Sequence, residues 1–122
     1  MSIRNKALKW FAAKHGKVDS PIYTSKFFLP DESWPKKSVW FPQIPVKVIN
    51  SNLSGYINIF CEVAPDKNDF HYLRVPAKFL HSHLEKFGKL NGKIALYLST
   101  DTKWLFIEER GEGNLNFKNF LV

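Results

Sequence analysis

The sequence predicts one α+β domain: an antiparallel sheet of about five strands, an N-terminal helix, and a second helix after a central hairpin. Three observations predict it. Apolar residues recur at helical spacing over residues 3–15, a two-residue alternation begins at Gly55, and a second helical pattern opens at Pro76. With 122 residues, 44% apolar and 16% aromatic, the chain can bury one core, and that composition argues against disorder along its whole length.

The first helix is bounded by its own residues. Ser2 can cap it, Ile3, Ala7, Leu8, Trp10 and Phe11 fall on one side, and Gly16 suits its end. Lys6 and Lys9 point away from that stripe, and Arg4 and Lys14 lie near its edges, where long stems can lie along apolar surface. Residues 1–16 therefore read as a basic amphipathic helix. Residues 17–54 read as proline-rich irregular structure and edge strands, because Pro21, Pro30, Pro35, Pro42 and Pro45 exclude a long helix. Extended pieces are expected at 22–28, 38–41 and 46–49, with Trp40 folded back as a lid on the core.

Residues 55–122 read as sheet plus helix. Ile57, Ile59, Cys61 and Val63 alternate with Tyr56, Asn58, Phe60 and Glu62. The turn-forming run 65–69 leads into a second strand over 70–75, which makes a hairpin. Pro76 opens a helix carrying Phe79, Leu80, Leu84 and Phe87 on one face and ending at Gly88. Strands are expected at 93–98 and 103–109, and residues 114–121 close the sheet as an edge strand. The whole chain, 1–122, reads as a single domain.

The charge is large and unevenly placed. The formal net charge is +7. Residues 1–61 hold nine basic and three acidic side chains, whereas 62–122 hold nine and eight. Arg4, Lys6, Lys9, Lys14 and Lys17 precede the first acid, and such a field attracts polyanions, of which nucleic acid is the commonest inside cells. With 15 of the 18 basic residues being lysine, bidentate readout of duplex bases is not the expected mode. Backbone tracking and single-strand stacking fit better.

Several chemistries are excluded by motif. The chain lacks a phosphate-cradling GxxxxGK[ST] loop, HExxH, paired CxxC and a GxSxG elbow. One cysteine excludes an internal disulfide and a multi-cysteine zinc site. Glu108, Glu109 and Glu112 read as a solvated acidic turn rather than a cation site. No metal or cofactor is expected. His81 and Glu85 read as a surface pair, His83 as a mostly buried, hydrogen-bonded ring, and His71 as a buried one. No apolar run is long enough for a membrane span and no secretory signal is evident, so the expectation is a cytoplasmic protein that does not enter membranes.

These observations point to a non-catalytic nucleic-acid-binding protein that favours single strands. Its expected contacts are Arg4, Lys6, Lys9, Lys14 and Lys17 on the helix side and Lys36 and Lys37 beside Trp34. The hairpin face bearing Tyr56, Phe60, Tyr72 and Arg74 would be an aromatic platform for bases, joined by Phe70 and Tyr97. That platform needs to be open; the competing arrangement packs the first helix on it through Trp10 and Phe11. Two alternatives belong to other classes. One is a metal-independent endoribonuclease of toxin type in which His71 and His81 converge. The other is an interaction or inhibitor module that meets an acidic protein through residues Trp34 to Pro45.

Overall fold

Ser2 and Gly16 do bound the first helix. In the computed structural model, which describes residues 2–16, 21–32, 38–65, 67–100, 105–108 and 115–122, α1 spans Ile3–His15. The Asn5 N–H donates to the Ser2 hydroxyl (3.2 Å), and Gly16 leaves the helix at φ +84°, a conformation that costs glycine little. Then come β1 (Ile22–Ser25), β2 (Phe27–Phe28), a 3-10 turn at Pro30–Glu32, β3 (Val39–Trp40), β4 (Gln43–Pro45) and α2 (Val46–Asn50). The hairpin is β5 (Tyr56–Glu62) and β6 (Phe70–Pro76), followed by α3 (Ala77–Ser82) and a 3-10 turn at Leu84–Lys86. β7 (Gly88–Leu90), β8 (Lys93–Ala95), β9 (Leu98–Ser99) and a 3-10 turn at Lys118–Phe120 complete the described elements.

The chain is mixed α/β, but it does not build one five-stranded antiparallel sheet. Its strands form three sheets of three, ordered β1-β5-β6, β2-β3-β9 and β4-β8-β7. In the first, β1 runs parallel to β5, with Ile22 beside Asn58 and Ser25 beside Cys61. Residues 26–55 provide the long crossover that parallel pairing needs. The other two sheets are consecutive parts of one interrupted antiparallel ladder. Residues 39–45 pair antiparallel with 93–99, and the ladder breaks at Phe41-Pro42 opposite Leu96-Tyr97. Pro42 has no N–H to contribute, although its carbonyl accepts from Leu96 N–H (3.1 Å). The expected strand 93–98 is therefore divided into β8 and β9.

Other departures also have local causes. Residues 46–49, expected to be extended, are helical in α2: Pro45 enters at φ −60°, Ile49 is buried, and Ser51 returns both its N–H and its hydroxyl to Lys47 O. The helix expected to run to Gly88 stops at Ser82. There the His83 N–H turns to Leu80 O (3.2 Å) in a 3-10 bond while its Nδ1 lies 2.8 Å from Phe79 O, the carbonyl that this N–H would take in a continued helix. β7, absent from the expectation, pairs with β8 across Asn91-Gly92, both at positive φ (50° and 78°). Of the expected strand 103–109 and the closing edge strand, the described residues show only isolated bridges, Leu98–Glu108, Ile107–Asn116 and Leu73–Leu121, together with the last 3-10 turn.

Both faces of the β5–β6 hairpin are covered. The inner face places Ile57, Ile59, Cys61, Leu73 and Val75 in the main core with Ile44, Leu80 and Phe106. Trp40, expected as a lid, is instead a β3 residue buried within the core; its Nε1–H donates to Glu62 O (2.6 Å) and its ring stacks on Phe106 at 4.8 Å. Cys61 is fully buried, and burial pushes its thiol pKa far up, so it is an unreactive part of that core. The outer face meets α1 in a second cluster of Ala7, Phe11, Ile22, Phe60 and Phe70. Among the described residues no helix is long and apolar enough to cross a membrane.

Candidate nucleic-acid interface

α1 decides which of the expected contact residues face solvent. Phe11 packs edge-on against Phe60 (5.4 Å) and Tyr72 (5.3 Å), and Phe60 and Tyr72 stack on each other at 4.9 Å. Phe60 is completely buried, Phe70 nearly so, and Tyr72 half-buried with its hydroxyl donating to Asn58 Oδ1. The aromatic platform expected from the alternation is thus the floor of a core. Large rings gain more from burial than any other side chains, and α1 supplies the cover. Tyr97 does not join this face; it stacks on Phe41 (4.5 Å) at the gap between β3 and β4.

With its apolar side on the sheet, α1 turns its cations outward. Lys6, Lys9 and Lys14 line a shallow groove of about 440 Å3 with Trp10, Ala13 and, from the hairpin turn, Asn68. Trp10 is half-exposed; its Nε1–H donates to Asp69 Oδ1 (2.8 Å) while Lys14 Nζ lies 5.6 Å from its ring centre. Among the described residues no carboxylate lies within ion-pair distance of these three lysines. Arg4 is engaged elsewhere, since its Nη1–H donates to Ile22 O (2.8 Å) and ties the start of α1 to β1. Lys17, Trp34, Lys36 and Lys37 lie outside the described residues.

Tyr56 and Arg74 stay exposed at the other end of the hairpin. The Arg74 guanidinium carbon sits 3.9 Å from the centre of the Tyr56 ring, a cation–π stack across the strands. Lys78, His81 and Ser82 from α3 line the groove beside Tyr56. The expectation missed Lys78 and Ser82 as neighbours of Tyr56. Their signal was the helix start at Pro76, because residues three and four apart share a helix face.

The histidines do not converge. His71 lies between Trp40 (5.4 Å) and Phe106 (5.3 Å), and burial lowers its pKa while Asp69 pulls weakly the other way. β6 then carries the chain roughly 16 Å before α3 begins. His81 sits on that helix with Nδ1 3.0 Å from Asn50 Oδ1, so its partner is not Glu85, which lies beyond the end of α3. His83 is half-buried on Phe79, in line with expectation.

The carboxylates also differ from expectation. Glu108 is buried, not solvated, and accepts the Tyr97 N–H at 2.7 Å; Glu109 and Glu112 lie outside the described residues. Glu62 is buried too and accepts the Phe27 N–H at 3.0 Å. Within Trp34 to Pro45, Val39, Trp40 and Ile44 are core residues, so that half of the stretch is not an exposed contact strip.

Fold and site together define a mixed α/β protein with a lysine-lined helix face and an exposed aromatic–arginine pair. Compared with protein-family models, curated proteins and solved structures, the chain matches none of them.

Proposed function

We propose that this protein binds nucleic acid without cleaving it, and that α1 lies along the phosphate backbone. One observation carries the reading: Lys6, Lys9 and Lys14 surround a half-exposed Trp10 with no carboxylate in ion-pair range among the described residues. Unpaired lysines on a rigid helix are point charges that neutralise phosphates whatever the base sequence. The charge asymmetry supports the same face, since the first half of the chain carries almost all of the net positive charge. The reading places the protein in the cytoplasm as one domain, and it needs neither metal nor cofactor.

The test is anisotropy of labelled single-stranded and duplex oligonucleotides over a range of salt concentrations. Replacing Lys6, Lys9 and Lys14 together by Gln should flatten the slope of log K against log salt by about 2 to 3. The thermal transition should hardly move, because none of the three packs in the core. Failure of the wild-type chain to bind any of these oligonucleotides at low salt would end the reading.

A further inference from the structure

The open end of the β5–β6 hairpin carries a second site, one that the lysines of α1 do not reach. Among the described residues Tyr56 is the only exposed aromatic side chain, at 42%. Asn58 pairs with Arg74 and Tyr56 with Pro76, so Arg74 is the diagonal neighbour of Tyr56 on the same face of the sheet. Its guanidinium carbon lies 3.9 Å from the ring centre, so the two exposed side chains stack as a cation–π pair. Pro76 turns the chain into α3, which brings Lys78 and His81 alongside, and Leu53 from the turn before β5 closes the other flank. The groove measures about 610 Å3, within the range of small-ligand sites, and none of its lining residues among those described is acidic.

We infer that this groove holds one unpaired nucleotide, its base against Tyr56 and Leu53, with Arg74 stacked on the tyrosine ring, and its phosphate against Lys78 and His81. The combination selects the class. An inorganic anion has no use for an exposed tyrosine ring and a leucine, and an uncharged ring has no use for Lys78. A base stacks on a tyrosine ring, and a phosphate attached to it reaches the Lys78 ammonium and the His81 ring on α3. The site also continues the α1 face. Arg4 anchors the near end of α1 at Ile22, which pairs with Asn58, two residues along β5 from Tyr56. A strand that follows α1 towards its N-terminus would therefore come to the Tyr56 end of β5. Its bases must be free to stack there, so the inference narrows the proposed ligand to a single strand and, for the polymer, rests on the α1 reading.

The experiment is an NMR titration of the full chain with adenosine 5′-monophosphate to about 10 mM, beside separate titrations with adenosine and with inorganic phosphate. The mononucleotide should give saturable shifts at Tyr56, Lys78 and His81, tighter than either fragment alone. Tyr56→Leu, which keeps apolar bulk and removes the ring, should weaken it roughly 5- to 100-fold. Lys78→Gln, at an exposed position, should weaken the mononucleotide but not adenosine. Absence of saturable shifts at these residues, or equal response to phosphate alone, overturns the inference. Oligonucleotide binding without mononucleotide binding in the groove leaves the α1 reading standing and removes this one. Mononucleotide binding without oligonucleotide binding does the reverse.

Discussion

The two faces of the β5–β6 hairpin are buried by different means. The inner face is aliphatic, and several elements cover it: Ile57, Ile59, Leu73 and Val75 meet residues from β4, α2, α3 and β8. The outer face is aromatic and polar, with Asn58, Phe60, Phe70 and Tyr72 under one helix that buries fully only Ala7 and Phe11. Large rings let a single layer close that face, whereas the aliphatic face needs many contributors. The consequence is functional. A helix one layer deep has a free outer side, and there the lysines of the candidate interface are displayed.

The largest test of this contrast is Phe60→Ala. It removes the ring that Trp10, Phe11 and Tyr72 all touch, and should cost about 3–5 kcal/mol in urea unfolding. A loss well under about 1 kcal/mol would mean that the outer face is open to solvent after all.

Ser2→Ala should cost less, about 0.5–2 kcal/mol, because it removes the cap of α1 and touches neither face directly. Hydrogen exchange should then quicken in α1 and leave β5 and β6 protected. Uniform quickening would show that the helix and the inner core unfold as one unit.

The smallest expected effect is a slope. Burial holds the pKa of His71 below its usual 6.5, so the folded chain takes up a proton less readily than the unfolded one. The unfolded state thus binds more protons as acidity rises, and stability should fall as pH drops through 6.5 towards the folded pKa. Above that window the contribution is complete. His71→Gln should flatten this part of the pH profile; an unchanged slope would assign it to other groups.

Elements set by neighbouring residues were legible. The bounds of α1 follow from Ser2 and Gly16, and the β5–β6 hairpin from its alternation and the turn at 65–69. The inward placement of Cys61 follows from the same alternation. Asn91-Gly92 was legible too, although the expectation did not use it: that dipeptide is a strong hairpin signal, and it accounts for β7. Of the candidate interface, the outward lysines of α1 could be placed from helical spacing alone.

What the sequence determined by itself is the periodicity of each segment, because backbone sterics and capping act over a few residues. Alternation states that Phe60 and Ile59 point to opposite sides; it does not state what lies on either side. Only the tertiary structure decided that α1 covers Phe60, that β1 joins β5 in parallel across a long crossover, and that the ladder of 39–45 with 93–99 is interrupted at Pro42. It also decided that Lys78 and His81 arrive beside Tyr56. These outcomes turn on which apolar surfaces find one another after the local pieces form, and burial is not directional. A buried aromatic floor and an open aromatic platform can carry the same residues; the helix that docks on the sheet makes the difference.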